Sequence, residues 1–215
     1  MARDIIHFLD SHNMEKSILV GHSMGGKVAQ ATALLYPERV DGLVVLDIAP
    51  VEYTSNDANW KAVHDIVHVL KQNVPVGQPG VTKRQVDQLL AKSGGALADP
   101  ALRAFCLTNL DFEKDSDGST FAKWKIHLEG IVSQLDELAG FDIHETEHHS
   151  THLAYDGDTF FIHGGQSRFV RHAHMDTISK YFPNHLLTTI RGAGHWVHAE
   201  APDDTTALLK RYLDR

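Results

Sequence analysis

Cysteine is nearly absent from this sequence of 215 residues, in which Cys106 is the only one. A single cysteine excludes a disulfide within the chain, and disulfides persist mainly in oxidising compartments. We therefore expect the protein in a reducing compartment. Cys106 lies in the apolar segment Ala104–Leu107, which predicts a buried structural thiol rather than a reactive nucleophile.

Long hydrophobic runs and basic clusters are also missing. Without a stretch of about 18 apolar residues, the sequence predicts no membrane span. The formal net charge is −8, and the 20 lysine and arginine residues are not gathered into a patch. Nucleic-acid binding needs a basic surface for the phosphates, so we expect no nucleic-acid partner.

Short apolar segments alternate with helical patterns towards both ends of the chain. Ser17–Val20 and Gly42–Asp47 have the continuous apolar character of buried strands, and a helical pattern begins at Gly25. Strand patterns return in Thr159–His163 and Leu186–Ile190. This alternation predicts an α/β fold with a mostly parallel sheet and helices on both faces.

The middle of the chain has a different character. Between Val51 and Asp156 the strand pattern is lost, and apolar residues recur at helical spacing in a polar background. We interpret residues 51–156 as an inserted helical cap. Residues 1–50 and 157–215 then form the core domain.

One short motif carries a chemical signal. Gly21-His22-Ser23-Met24-Gly25 matches G-x-S-x-G and lies between a predicted strand and a predicted helix, as the motif requires. The serine then sits in a tight turn that needs small residues two positions before and two positions after it. We predict Ser23 as the nucleophile and the backbone N–H of Met24 as an oxyanion donor.

A serine nucleophile needs a base, and the chain offers 16 histidines. His195 stands out because it follows the last predicted strand within Gly192-Ala193-Gly194-His195-Trp196. The glycines let a loop carry the imidazole back over the edge of the sheet, and the order of serine before histidine suits such a site. We predict His195 as the general base.

Two further motif matches are weaker. Gly21–Val28 nearly matches the phosphate-binding loop G-x-x-x-x-G-K-[ST], but Val28 stands where a hydroxyl should hold Mg²⁺. His144-Glu145-Thr146-Glu147-His148 matches the zinc motif H-E-x-x-H, but the surrounding segment is nearly devoid of the apolar residues that a packed helix needs. We therefore expect neither a metal nor a cofactor.

Four segments together carry a more specific resemblance: Gly21–Lys27, Leu46–Glu52, Ile162–Ser167 and Gly194–Trp196. They resemble one branch of the α/β-hydrolases, that of the bacterial short-chain acyl esterases and of the mitochondrial abhydrolase domain-containing protein eleven. The resemblance spans the whole chain. It implies an α/β-hydrolase fold, a serine hydrolase activity, and a location in the cytoplasm or the mitochondrial matrix.

The acid that orients His195 is less evident. In many α/β-hydrolases it follows the strand that here is Phe160–His163, where this chain has Ser167, which cannot carry a charge. The resemblance implies Asp47 instead, at the end of the preceding strand, with Ser167 as an assisting hydrogen-bond partner. Four further carboxylates are candidates, in the cap or before that strand, namely Glu129, Asp136, Asp156 and Asp158.

The resemblance also has a gap at the amino-terminal side. Members of this family normally have several strands before the strand that leads into the serine turn, here called the elbow strand, which in this sequence is Ser17–Val20. They also have an early loop that donates a second oxyanion N–H. This chain starts one helix before the elbow strand, so we expect an N-terminally truncated version of the fold without that loop.

The fold also serves C–C bond hydrolysis and haloperoxidase-like chemistry, which the sequence leaves open. Two functional hypotheses stand before these. The leading one is a serine esterase or thioesterase that cleaves a small-molecule acyl ester or thioester through an acyl-enzyme, with the cap covering Ser23 and limiting the acyl chain. The alternative is a catalytically weak acyl-binding or partner-stabilising domain that retains the hydrolase fold. The oligomeric state does not follow from the sequence.

Overall fold

The computed structural model describes residues 1–143 and 153–215. These residues form two compact units, one made of Met1–Glu52 and Gly140–Arg215 and the other of Tyr53–Ala139. The compact insertion thus ends at Ala139, whereas the sequence pattern placed the return to the core at residue 157. The segment between these points has few apolar residues, so no periodicity marks where the insertion ends. The assignment of a cap function to the second unit stays a prediction.

The strands and helices have the following bounds. In chain order the strands are β1 (Ser17–His22), β2 (Val40–Leu46), β3 (Leu110–Lys114), β4 (Thr120–Trp124), β5 (Thr159–Gly164) and β6 (His185–Ile190). The helices are α1 (Ala2–Ser11), α2 (Met24–Leu35), α3 (Ala58–Asn73), α4 (Lys83–Lys92), α5 (Pro100–Leu107), α6 (Leu128–Ser133), α7 (Leu135–Ala139), α8 (Met175–Tyr181), α9 (Val197–Glu200) and α10 (Pro202–Leu213). Within the described ranges, no helix is both long enough and apolar enough to cross a membrane.

The first unit is built on a parallel sheet with the strand order β1-β2-β5-β6. Its inner strands are buried on both faces, since Leu43, Val44 and Val45 of β2 and Phe161 of β5 have no exposed surface. Strands that are covered on both sides need apolar residues at successive positions. This explains why they stand out in the sequence as continuous apolar runs.

Successive side chains of each strand point to opposite faces of the sheet. On one face, Val44 and Ile162 form a buried cluster with Tyr212 of α10. On the other face, the ring of Phe161 packs against that of Phe182, which follows α8, with centroids 5.8 Å apart. Helical segments therefore cover both faces, and the predicted α/β fold with a parallel sheet is confirmed.

The sequence pattern had indicated a helical second unit, but the structure shows that this unit also contains strands. Helices α3, α4 and α5 agree with that interpretation, but β3 and β4 form an antiparallel hairpin that pairs Leu110 with Trp124. The turn contains Gly118 at φ 84°, a backbone conformation that favours glycine. The two strands have only five residues each, too few for their alternation to stand out from the helical pattern around them.

Cys106 lies in α5 and is only 6% exposed. Burial disfavours the thiolate and raises the pKa of this thiol to about 11. The thiol therefore stays protonated at neutral pH, where the thiolate would be the reactive form. The predicted buried structural cysteine is confirmed.

Candidate active site

Ser23 lies in the turn between β1 and α2, with φ 52° and ψ −120°. Non-glycine residues hold such a backbone conformation only where the surroundings enforce it. Gly21 makes the turn possible, because a Cβ there would lie 2.3 Å from the carbonyl oxygen of Gly25. On the other side the tight position is Gly26, where a Cβ would lie 2.6 Å from Cγ2 of Ile48. Apart from its chain neighbours and the backbone of its own helix, a Cβ at Gly25 would meet no atom of the described residues within 4 Å. The steric requirement expected at Gly25 therefore falls one residue later, at Gly26.

His195 lies in the loop between β6 and α9 and contacts two further residues of the predicted site. Its Nε2 is 3.0 Å from Oγ of Ser23, and its Nδ1 is 2.7 Å from Oδ2 of Asp47. A carboxylate can only accept a hydrogen bond, so Nδ1 carries the ring proton. Nε2 of the neutral ring is then the acceptor for the Ser23 hydroxyl, which is the arrangement that general-base catalysis requires.

Asp47 follows β2 directly and is fully buried. Its Oδ1 accepts the backbone N–H of Gly164 at 2.9 Å. Its Oδ2 accepts the hydroxyl of Ser167 at 2.5 Å, in addition to the imidazole of His195. A buried carboxylate is tolerated only when its oxygens are bonded in this way. The structure thus brings Ser23, His195, Asp47 and Ser167 into one hydrogen-bonded chain.

The Ser167 hydroxyl is itself oriented by a second bond. Its Oγ accepts the backbone N–H of Phe169 at 3.2 Å and donates its proton to Asp47. Ser167 therefore lies beside the carboxylate, where the sequence had suggested an assisting role.

Asp156 and Asp158, which the sequence also offered as acids, lie at the wrong end of the sheet for His195. Both precede β5, whereas Asp47 follows the neighbouring parallel strand β2. A strand of six residues spans roughly 20 Å, so these carboxylates are a strand length away from the Asp47 end. Asp158 instead pairs with the guanidinium of Arg215 at 3.6 Å. The carboxylates of Glu129 and Asp136 belong to the second unit.

Met24 is the first residue of α2, so its N–H has no acceptor within the helix. The aligned peptide dipoles add partial positive charge at this end of the 12-residue helix. An oxyanion formed beside Ser23 would find this N–H on the adjacent residue, as the sequence predicted.

Three residues near His195 were not predicted from the sequence. His22 donates a hydrogen bond from Nε2 to the carbonyl oxygen of His195 at 2.9 Å. Glu200 accepts two backbone N–H groups of the same loop. The ring of Phe169 lies 4.1 Å from the imidazole of His195, centroid to centroid. His22 could have been noticed as the neighbour of Ser23, but Glu200 and Phe169 carry no local signal.

Lys27 is the lysine of the motif that resembles a phosphate-binding loop, and its amine is hydrogen-bonded to the backbone of the protein. Its side chain is buried, and its Nζ donates to the carbonyl oxygen of Gly140 at 2.8 Å. Burial lowers the pKa of this amine to about 8, and the nearby charge of Glu52 opposes part of that effect.

The zinc-like motif, His144 to His148, lies outside the described residues. Within residues 1–143 and 153–215, no group of three histidine, cysteine or acidic side chains is arranged to hold a metal ion. The expectation of a mechanism without metal or cofactor stays a prediction.

The comparison with known families agrees with the fold and the motifs. Residues 1–202 match the family described as alpha/beta hydrolase fold, and the chain belongs to that family. A solved structure described as a marine microorganism esterase superposes with a TM-score of 0.83 at 29% identity, covering 99% of this chain and 75% of that one.

The named relatives include an animal protein and a bacterial one. The sn-1-specific diacylglycerol lipase ABHD11 of Danio rerio is 33% identical over 99% of this chain. Esterase YbfF of Escherichia coli is 30% identical over 100% of this chain and 74% of its own length. The chain spans 62% of the length of the Danio rerio protein, so this similarity does not by itself assign the activity of the whole relative to this chain.

Proposed function

We propose that this protein hydrolyses carboxylic esters through a covalent acyl-enzyme on Ser23. The observation that carries this proposal is the hydrogen-bonded chain from Ser23 through His195 to Asp47. A serine hydroxyl is a weak nucleophile until a base removes its proton, and this geometry supplies the base within hydrogen-bond distance. The names of the relatives, an esterase and a lipase, support the same substrate class.

In the first half of the reaction, Oγ of Ser23 attacks the carbonyl carbon of the ester while Nε2 of His195 takes the hydroxyl proton. The carbonyl oxygen becomes an oxyanion next to the N–H of Met24. The imidazolium is stabilised by the buried charge of Asp47, which also keeps the ring in the productive tautomer. His195 then gives its proton to the departing alcohol oxygen, the C–O bond breaks, and the acyl group stays on Ser23.

The second half repeats these steps with water. His195 takes a proton from water as the water oxygen attacks the acyl carbon, and the resulting oxyanion again lies next to Met24. When the intermediate collapses, the bond to Oγ breaks and Ser23 recovers its proton from His195. The carboxylic acid leaves, and the site returns to its starting state.

The finer substrate class follows from the sequence resemblance. Short acyl chains are expected, on either an ester oxygen or a thioester sulfur, with the second unit acting as a cap that limits chain length. The reducing compartment, cytoplasm or mitochondrial matrix, also stays a prediction.

The test of this proposal is Ser23→Ala, assayed on p-nitrophenyl acetate and by labelling with a fluorophosphonate probe. Loss of the attacking oxygen should reduce turnover at least about a thousandfold and abolish labelling, because the remaining groups cannot form the acyl-enzyme. Ser133→Ala is the matched control, since Ser133 is exposed and its Oγ donates to the nearby carbonyl oxygen of Gly130 at 2.9 Å. Circular dichroism verifies that both variants are folded.

Two outcomes would contradict the proposal. An alanine variant that keeps most of its turnover would exclude Ser23 as the nucleophile. A wild-type chain that neither turns over esters nor reacts with the probe, yet binds an acyl ester, would favour the acyl-binding hypothesis.

A further inference from the structure

The backbone of the His195 loop is held at three points by two side chains. The first point is the carbonyl oxygen of His195, which lies 2.9 Å from Nε2 of His22. A carbonyl oxygen can only accept, so this nitrogen of His22 carries a proton. His22 precedes Ser23 directly, and this bond therefore ties the loop of the base to the turn of the nucleophile.

The second and third points are the N–H groups on either side of His195. One carboxylate oxygen of Glu200 accepts the N–H of Gly194 at 2.7 Å, and the second oxygen accepts the N–H of Trp196 at 3.1 Å. Hydrogen bonds to an ionised carboxylate are stronger than those between neutral groups. Glu200 is the last residue of α9, so the carboxylate fixes the loop to the helix that follows it.

The loop needs such anchors because its own sequence gives it freedom. Gly192 has φ 83°, and Gly194 precedes His195 directly, so neither position restricts the backbone as another residue would. Ordering the backbone of such residues costs conformational entropy. A base that must stay within hydrogen-bond distance of both Ser23 and Asp47 cannot rely on a loop that samples many conformations, since displacement by about 1 Å can cost a hundredfold in rate.

We propose that His22 and Glu200 are positioning residues that hold the backbone on both sides of His195, so that its ring meets Ser23 and Asp47 together. This inference rests on the proposed function, because holding the ring of His195 in place affects the reaction through its role as general base.

The electrostatic surroundings of His22 fit this role. Its ring centroid lies 4.7 Å from that of His195 and 4.6 Å from that of His198, and the carboxylate of Asp47 is the nearby negative charge. Burial is the main cause that lowers the pKa of His22 to about 4, with the two histidines adding to it and the carbonyl bond and Asp47 opposing it. His22 is thus neutral at pH 7. It keeps its N–H donor without placing a second positive charge beside the imidazolium that forms during acylation.

The first test replaces the donor of His22. His22→Leu removes the bond to the His195 carbonyl, while His22→Gln offers an N–H the same number of bonds from Cβ. We expect kcat on p-nitrophenyl acetate to fall about tenfold or more in His22→Leu with little change in KM, and to recover in large part in His22→Gln. His185→Leu is the matched control, because Nδ1 of His185 bonds to the carbonyl of Phe182 at 2.7 Å, away from the site.

The second test weakens the carboxylate contact. Glu200→Gln keeps one acceptor oxygen and loses the second, so one of the two N–H groups loses its partner. We expect Glu200→Gln to lower kcat less than His22→Leu does. Glu200→Ala, which removes both acceptor oxygens, should lower kcat more than Glu200→Gln. Glu113→Gln, at an exposed site of β3, should behave like wild type.

A readout without substrate separates this inference from the proposed function. The proton between Nδ1 of His195 and Asp47 belongs to a short, charge-assisted hydrogen bond and should give a low-field NMR signal that Asp47→Asn removes. We expect this signal to broaden or vanish in His22→Leu and Glu200→Ala, and to persist in His22→Gln and His185→Leu. A purely structural role would lower thermal stability and leave the signal in place.

The inference is overturned if folded His22→Leu and Glu200→Ala keep both the signal and the kcat of their controls. If His22→Leu does not fold, Glu200→Ala decides by the same two measurements. Failure of the proposed function would appear elsewhere, as full ester turnover by Ser23→Ala.

Discussion

Nδ1 of His195 lies 2.7 Å from Oδ2 of Asp47, although 148 positions separate the two residues in the sequence. The parallel sheet makes this contact possible. Asp47 follows β2, and the loop with His195 follows β6, so both residues lie at the carboxyl ends of strands in the same sheet. Asp47 has no exposed surface, and its charge is therefore weakly screened by solvent where His195 would become cationic.

This contact predicts a large difference between Asp47→Asn and Ser167→Ala. Loss of the carboxylate removes the charge that stabilises the imidazolium and reverses the tautomer preference, which should reduce kcat by up to about 10⁴. Loss of the Ser167 hydroxyl leaves the charge of Asp47 in place and removes one of the hydrogen bonds to it, worth about 1 kcal/mol, so kcat should fall less than tenfold. Steady-state kinetics on p-nitrophenyl acetate measures both.

The controls for the acid are the two carboxylates of the second unit that the sequence offered for the same role. Glu129→Gln and Asp136→Asn should keep nearly wild-type kcat. A nearly silent Asp47→Asn together with a severe Glu129→Gln or Asp136→Asn would show that the acid comes from the second unit.

A second prediction concerns the glycines of the nucleophile turn. Gly21→Ala should prevent the native turn, because its Cβ would lie 2.3 Å from the carbonyl oxygen of Gly25 and the nearby atoms are backbone. Gly25→Ala should fold and keep its activity, since the space beside it is open among the described residues. Thermal unfolding and probe labelling compare the two, and equal loss in both variants would contradict the geometry of the turn.

The third prediction concerns the pH dependence of stability through Lys27. Burial lowers the pKa of Lys27 from 10.5 to about 8. Below pH 8 the amine is charged in both states, and between pH 8 and 10.5 the native state releases its proton first. The unfolded state then binds more protons, so this group makes the protein more stable as pH rises through that window. A difference of about 2.5 pH units corresponds to about 3 kcal/mol.

The measurement is the free energy of unfolding by urea at several pH values, in wild type and in Lys27→Met. Between pH 8 and 10.5 the free energy of unfolding of wild type should rise relative to that of Lys27→Met, by up to about 3 kcal/mol. Lys16→Met, at an exposed lysine, serves as control and should follow wild type. A difference that stays constant over this range would show that the amine of Lys27 is not desolvated in the native state.

The fourth prediction concerns acyl chain length. If the second unit caps the site, the rate should be highest for short p-nitrophenyl esters and fall towards palmitate, because a modest pocket excludes long chains. Comparison of kcat/KM from acetate to palmitate tests this. A rate that climbs steadily with chain length would contradict the cap assignment.

The sequence by itself determined the features that depend on neighbours along the chain. Strands buried on both faces require consecutive apolar residues, so β2 and β5 were visible as strands. A tight strand-to-helix turn requires glycine close to the serine, so Ser23 was visible as a candidate nucleophile. These signals are local because backbone geometry and burial impose them residue by residue.

Only the tertiary structure decided the features that depend on distant residues meeting. The pattern of the sequence left several acids open for His195, and the contact of Asp47 with Nδ1 became visible when the carboxyl ends of β2 and β6 were placed in one sheet. His22 and Glu200 acquire their contacts in the same way, because their partners are backbone groups of the His195 loop. A backbone N–H or carbonyl has no sequence signature, since every residue but proline carries both. Contacts with such groups can therefore be seen only after the chain has folded.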